Sequence, residues 1–163
     1  MARARAETPV LQTVLDRLIR GDNDPRVSGS WEASARAHRE SVRRDLEWLL
    51  NTRCTTEPAP ESLPETRRSL YQYGLPDISS MSADSADERA LLVQHVQAAV
   101  ELFEPRLSNV RVTLSESQEA TERQVRFIIE ATLHMDPEPE HVVFDTVLEV
   151  ASAKFEVKGG SGA

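Results

Sequence analysis

The stretch LFEPRLSNVRVTL, residues 102–114, contains the point at which the periodicity of the sequence changes. Before this point, apolar residues recur at the spacing of one helix face, at Leu92, Val96, Val100 and Phe103. After it, apolar residues alternate with polar ones, beginning with Val110, Val112 and Leu114. Pro105 has no amide hydrogen and biases Glu104 away from the helical region. A helix is therefore predicted to end near Glu104, and a strand to follow it.

Two helices are predicted upstream. Residues 31–53, WEASARAHRESVRRDLEWLLNTR, have apolar residues at helical spacing on one face and interleaved basic and acidic residues elsewhere. Residues 8–21, TPVLQTVLDRLIRG, begin with Thr8 as a capping residue and end at Gly21. The apolar stripe of this first helix consists of Val10, Leu11, Val14, Leu15, Leu18 and Ile19. Turn-forming residues follow it, so the pattern leaves open whether the stripe packs on the chain's own core or on a partner.

Strand patterns dominate the rest of the chain. Apolar and polar residues alternate in QVRFIIEATLHM (124–135) and HVVFDTVLEV (141–150), and AKFEVKG (153–159) is predicted to add a short last strand. Helices followed by strands predict an α+β fold, with N-terminal helices and then a small, mainly antiparallel β-sheet. The predicted division is a partner-docking helix and linker over 1–30, one α+β domain over 31–158, and a flexible tail over 159–163.

Composition narrows the choice of partners. The chain of 163 residues has 27 acidic and 19 basic side chains and a net charge of -8, which repels nucleic-acid phosphates and anionic lipid headgroups. Cys54 is the only cysteine, and the basic N-terminus lacks the apolar region of a signal peptide. No apolar run approaches the roughly 20 residues of a membrane-spanning helix. We expect a cytoplasmic protein that neither binds nucleic acid nor inserts into a membrane.

The charged pair at the corner, Glu104 and Arg106, requires an explanation. A glutamate near a helix C-terminus faces the negative end of the helix dipole, at an expected cost of roughly 0.3 to 1 kcal/mol when exposed. If the chain leaves the helix extended, residues two apart point the same way, so the two side chains share one face. The planar fork of Arg106 suits a carboxylate or a row of backbone carbonyls. Local physics leaves two alternatives open: the pair fastens the helix-to-sheet corner, or it clamps a partner.

Three motifs occur in order along the chain: SVRRDLEWLLN at 41–51, YGLPD at 73–77 and EPRLSNVRV at 104–112. Together they resemble the TssE family of type VI secretion baseplate subunits, which is related to the phage wedge proteins once labelled lysozyme-like. The resemblance extends over nearly the whole chain, from about Val10 to Val157.

The resemblance implies a structural protein: one subunit of a wedge that also contains TssF and TssG, with several wedges around a hub that includes the VgrG spike. Its sheet resembles the part of sheath subunits that exchanges strands with neighbours, which implies a template for the TssB–TssC sheath. The expected location is cytoplasmic, at the baseplate facing the inner membrane. No cofactor, metal or catalytic residue is expected.

Partner contacts are expected at three places: the EPR motif, which the resemblance ties to wedge assembly, the stripe of the first helix, and the strand run 142–157, which is the candidate open edge. The residues are Glu104, Pro105, Arg106, Leu11, Leu15, Leu18, Phe144 and Val150. Charge reversal at Arg106 is predicted to abolish assembly and leave the isolated domain folded. Loss of the native circular dichroism spectrum would instead show that the corner fastens the fold.

Three other functions fit the residues less well. Glycoside hydrolysis needs one carboxyl group that donates a proton, and Arg106 beside Glu104 favours the ionised form instead. A metal site between His134 and His141 lacks ligand spacing, and the acidic segment MDPEPE is more typical of a hairpin loop. A regulatory protein-binding module, like the anti-adaptor that shares the superfamily fold, remains an alternative because fold alone does not separate it from a baseplate subunit.

Overall fold

The three longer helices among the described residues lie where the periodicity predicts them. The computed structural model describes residues 13–20, 31–78, 81, 85–115, 124–136 and 138–162. Its helices are α1 (Val14–Arg20), α2 (Trp31–Asn51), α3 (Pro64–Arg67) and α4 (Ala86–Phe103), with a 3₁₀ turn at Leu70–Gln72. Ser85 caps α4: its hydroxyl accepts a hydrogen bond from the Glu88 amide at 3.3 Å.

Four strands follow the helices and form one antiparallel sheet, which confirms the α+β prediction. They are β1 (Leu107–Leu114), β2 (Gln124–Leu133), β3 (Glu140–Glu149) and β4 (Lys154–Gly162), in the spatial order β1-β2-β3-β4. β2 and β3 are therefore inner strands, and β1 and β4 are the edges. β4 is longer than predicted, because residues 159–162, assigned to a tail from their composition, pair with the start of β3.

A bulge near the start of β1 explains why its inward residues do not alternate strictly. Ser108 pairs with Thr132 and Arg111 with Glu130, so β1 contains one more residue than β2 over this interval. Asn109 takes the left-handed conformation there, with φ of +52°. Asparagine tolerates this conformation better than most residues. Leu107 and Val110 are consequently both buried.

The core lies between the helices and one face of the sheet. α2 packs against β4, and α4 packs against β1. Along β2, buried residues alternate with half-buried ones over the whole strand, which confirms the period-two prediction. The largest wholly buried side chains are Phe127, Phe144, Phe155, Leu46, Leu50, Leu75, Leu92, Ile129, Leu133 and Leu148.

The connector after α2 turns back onto the domain at the YGLPD motif. Leu75 forms two backbone hydrogen bonds of 2.9 Å, donating to the Thr52 carbonyl and accepting from the Cys54 amide. Tyr73 packs edge to face on Phe103, with ring centroids 5.3 Å apart. Tyr73 and Leu75 therefore hold this turn against the domain, whereas Tyr71 is exposed.

Gly74 is required at this turn, and replacing it by alanine is expected to lower the free energy of unfolding by about 2 to 3 kcal/mol. Its φ is +112°, and a Cβ would lie 2.4 Å from the Thr52 carbonyl oxygen. Strained backbone costs about 1 to 3 kcal/mol, and the neighbouring hydrogen bonds would shift. Urea denaturation followed by circular dichroism measures the effect. The exposed connector residue Glu61, changed to alanine, serves as the control; equal midpoints for both variants would contradict the prediction.

Candidate functional site

The EPR corner is an ion pair between the buried Glu104 and the half-buried Arg106, at the junction of α4 and β1. α4 ends at Phe103, and Glu104 leaves the helical region with φ of -117° and ψ of 80°. The Glu104 carboxylate is only 4% exposed. Its Oε1 accepts hydrogen bonds from Arg106 Nε at 2.7 Å and from the Arg106 amide at 3.2 Å, and its Oε2 contacts Arg106 Nη2. The prediction that both side chains share one side of the backbone is confirmed.

Arg106 also joins this corner to α2. Its Nη1 donates to Ser41 Oγ at 3.1 Å, and its Nη2 donates to Asp45 Oδ2 at 2.7 Å. Burial opposes the charge on Arg106, but Glu104 and Asp45 outweigh it and raise the pKa of the guanidinium above its ordinary value. One arginine thus connects α4, β1 and α2.

This geometry bears on the two alternatives for the corner. Glu104 is buried and both of its oxygens contact Arg106, while Arg106 contacts three side chains of its own chain. Pro105 between them is exposed. The arrangement supports the first alternative, in which Arg106 stabilises the fold by holding the corner against α2. Charge reversal at Arg106 is therefore expected to destabilise the isolated chain, contrary to the prediction from the sequence.

The ion pairs continue from the corner to the first helix. Asp45 Oδ1 accepts from Arg44 Nε at 3.0 Å, and Arg44 Nη1 donates to Asp16 Oδ1 at 2.7 Å. Asp16 lies on α1 and is 4% exposed. Burial opposes the charge on Arg44, but the hydrogen bonds to Asp16 and Asp45 outweigh it and raise its pKa. Alternating charges therefore connect α1 to Arg106.

The first helix turns its acidic residue inward and its apolar stripe outward. Val14, Leu18 and Ile19 are strongly exposed, Leu18 at 78%, and Leu15 is exposed at 38%. Thr13 supports this orientation, because its hydroxyl accepts from the Asp16 amide and donates to Asp16 Oδ2 at 2.6 Å. Leu11, also predicted to bind a partner, lies outside the described residues. Of the two alternatives left open, the described part of the stripe does not pack on the core.

Phe144 and Val150 lie where they cannot form an open edge. Phe144 belongs to the inner strand β3, which pairs with β2 on one side and β4 on the other, and its ring is wholly buried. Val150 follows β3 in the turn and packs, half-buried, against the core. The edge predicted for the run 142–157 is therefore limited to its β4 portion, because a strand with two neighbours has no free hydrogen-bonding edge.

His38 of α2 lies near the corner, close enough for Arg106 and Glu104 to affect its charge. It is half-buried, and its pKa is lowered by burial and by the positive charge of Arg106. Its Nδ1 is buried without a hydrogen-bond partner in the described part of the chain. The residue therefore favours the neutral imidazole beside the Arg106 guanidinium.

The segment between His134 and His141, weighed above as a metal site, has side chains that contact neighbouring elements of the fold. At the β2–β3 hairpin, both carboxylate oxygens of Glu140 accept hydrogen bonds from Arg39 Nη1 of α2, at 2.7 and 2.8 Å. His134 Nε2 lies 2.8 Å from Ser108 Oγ of β1. Within the described ranges there is no group of three or more His, Cys, Asp or Glu residues that would suit a metal ion. Nor does any helix among the described residues have the length and apolar character needed to cross a membrane.

The fold and the corner define a small α+β scaffold with an outward apolar helix and a sheet that has two edge strands. A family model described as baseplate wedge protein gp25 matches residues 36–138, from α2 into the β2–β3 hairpin. Because the match covers more than half of the chain, this chain belongs to the baseplate wedge protein gp25 family, which is also the family of TssE. Membership supports a structural role in a baseplate. No curated protein matches the chain.

Proposed function

We propose that this chain is a TssE-type wedge subunit of a type VI secretion baseplate and that it assembles with TssF and TssG. The family match over residues 36–138 is the observation that carries the proposal, because it supports the baseplate role. The three motifs that resemble TssE favour the type VI branch of the family.

The apolar face of α1 is the proposed contact with the other wedge proteins. Val14, Leu15, Leu18 and Ile19 lie on its outward side, whereas Asp16 is bonded to Arg44 of α2. An amphipathic helix whose apolar face is exposed suits the groove or helix pair of a partner. Each large aliphatic side chain that leaves water on binding contributes about 1.5 to 3 kcal/mol.

The EPR corner has an indirect role in this proposal. Through Asp45 and Arg44 it supports the part of α2 to which α1 is bonded. A variant with a loosened corner is therefore expected to lose assembly through the displacement of α1. The proposed role of the corner is structural rather than enzymatic, since both carboxylate oxygens of the buried Glu104 contact Arg106.

The remaining parts of the proposal concern the sheath, the hub and the location. The sheet is proposed as a template for the TssB–TssC sheath, with strand pairing at an edge, and contact with the VgrG hub is proposed to be indirect. The proposed location is the cytoplasmic side of the baseplate, facing the inner membrane.

Co-expression of the chain with TssF and TssG, followed by affinity capture, tests the proposal. Wild-type chain is expected to retain both proteins, and Leu18→Asp is expected to lower capture at least about tenfold, because it introduces a charge into an apolar contact. Leu18 is exposed, so the isolated variant is expected to keep its unfolding midpoint.

Leu70→Asp is the matched control. Leu70 lies in the connector and is 84% exposed, so this variant introduces the same charge at a different surface. Equal capture of both variants would contradict docking through α1. Failure of the wild-type chain to retain either protein would contradict the wedge role itself, and clearing of peptidoglycan by the purified chain would favour the glycosidase instead.

A further inference from the structure

The outer edge of β4 is occupied by side chains of α2. Phe155 directs its backbone groups away from β3: its amide donates to Asn51 Oδ1 at 2.9 Å, and its carbonyl accepts from Asn51 Nδ2 at 2.9 Å. Two residues further on, the Val157 carbonyl accepts from Arg43 Nη1 at 2.8 Å. Three outward groups of this edge are thus hydrogen-bonded within the chain.

The contact between Asn51 and Phe155 reproduces the bonds of a neighbouring strand. In an antiparallel pair, hydrogen-bonded residues exchange one N–H and one C=O bond with each other. The side-chain amide of Asn51 supplies the same donor and acceptor to a single residue of β4. An incoming strand would need the same two groups of Phe155.

Both side chains are held in place by α2 itself. Asn51 Nδ2 also donates to the Glu47 carbonyl at 2.8 Å, and Arg43 Nη1 also binds Glu47 Oε2 at 2.8 Å. Asn51 is nevertheless exposed, so a competing strand can reach it from solvent. Unpaired edges attract other strands, and native proteins cover them.

We propose that the outer edge of β4 at Phe155 and Val157 is a strand-acceptor site that Asn51 and Arg43 keep closed, and that a partner strand pairs there only in exchange for these two side chains. The inference rests on the proposed strand-pairing role of the sheet. In this proposal Arg43 and Asn51, both in the SVRRDLEWLLN motif, control that pairing.

Charge indicates which strand the site accepts. On the open face of β4, Lys154 and Lys158 flank Glu156, and all three point away from the core. The natural neighbour β3 places Glu149 opposite Lys154 and Asp145 opposite Lys158. Opposite charges in cross-strand pairs are favourable. The site therefore fits an extended strand with acidic side chains at two positions four residues apart.

A fluorescein-labelled peptide with the β3 sequence EHVVFDTVLE tests this inference, with the isolated full chain and fluorescence anisotropy. Asn51→Ala is expected to bind the peptide at least about tenfold more tightly than wild-type, because the peptide no longer displaces two hydrogen bonds. Adding Arg43→Ala is expected to strengthen binding further. A peptide with Asp145→Lys and Glu149→Lys is expected to bind more weakly to every protein.

Amide hydrogen exchange verifies that the edge has opened and that the fold is intact. In Asn51→Ala the Phe155 amide is expected to exchange at least about tenfold faster than in wild-type. The Glu156 amide, whose residue pairs with Val147 of β3, is expected to keep its protection.

Asn51→Asp keeps the acceptor for the Phe155 amide and loses the donor to its carbonyl, so its affinity for the peptide should be intermediate. Equal peptide affinity of Asn51→Ala and wild-type, or no binding by either, would overturn the inference. The isolated chain is used alone, so these outcomes leave the TssF and TssG assignment unaffected.

Discussion

Replacing Arg106 by glutamate is expected to unfold the isolated chain rather than only to prevent assembly. The change removes the cation that joins α4, β1 and α2, and it places a third carboxylate beside Glu104 and Asp45. Removing one partner of a buried ion pair costs about 3 to 5 kcal/mol, and repulsion among the carboxylates adds to this cost. A domain of this kind has a total stability of about 5 to 15 kcal/mol. Urea denaturation followed by circular dichroism measures the loss.

Two further variants identify the cause of this effect. Arg68→Glu makes the same change of charge at an exposed position of the connector, and its stability is expected to stay within about 0.5 kcal/mol of wild-type. Arg106→Lys keeps the charge but loses the fork that binds Glu104 and Asp45 together, so an intermediate loss is expected. A native spectrum and midpoint for Arg106→Glu would contradict the fastening role and return the motif to its earlier interpretation as a partner clamp.

Truncating Phe144 to alanine is expected to lower the free energy of unfolding by about 3 to 5 kcal/mol. The ring is wholly buried in the core on an inner strand, so the change leaves a cavity that the surrounding side chains fill only in part. The expected result is a large shift of the urea midpoint without a specific defect in binding, although the sequence suggested Phe144 as a partner-binding residue.

Val143→Ala is the matched control for Phe144. Val143 is the preceding residue of β3, lies on the open face and is only half-buried, so its loss is expected to be about 1 kcal/mol or less. Capture by TssF and TssG should fall for Phe144→Ala only in proportion to its unfolded fraction. A loss of stability below about 1 kcal/mol for Phe144→Ala would contradict its place in the core.

Much of the secondary structure follows from local patterns. The end of α4 is set by Pro105 and by the change of period after it, and the alternation in β2 identifies its buried residues correctly. The bulge at Asn109 and the extension of β4 to Gly162 were not predicted. Both depend on pairing with a neighbouring strand: the register of β1 against β2 needs one extra residue, and a glycine-rich segment becomes a strand because β3 lies beside it.

The candidate site was predicted only in part. Glu104 and Arg106 stood out because a proline and a change of period isolate them in the sequence. Ser41 and Asp45, which complete the corner, lie 65 and 61 residues from Arg106 along the chain, and in α2 they resembled any solvent-exposed polar residue. Their spacing of four residues, which places both on one helix face, was the available signal.

The local sequence was sufficient for the order of elements and for placing Glu104 and Arg106 on one face, because these depend on neighbours within a few residues. Packing determined the rest. Whether Glu104 binds within the chain or to a partner, which way α1 turns its stripe, and which strand forms the edge all depend on contacts between distant residues. Burial settles the first two, because a charge removed from water needs a partner nearby: Glu104 binds Arg106, Asp16 binds Arg44, and the apolar side of α1 is left outside. Strand pairing settles the third, since β3 has two neighbouring strands and β4 has one.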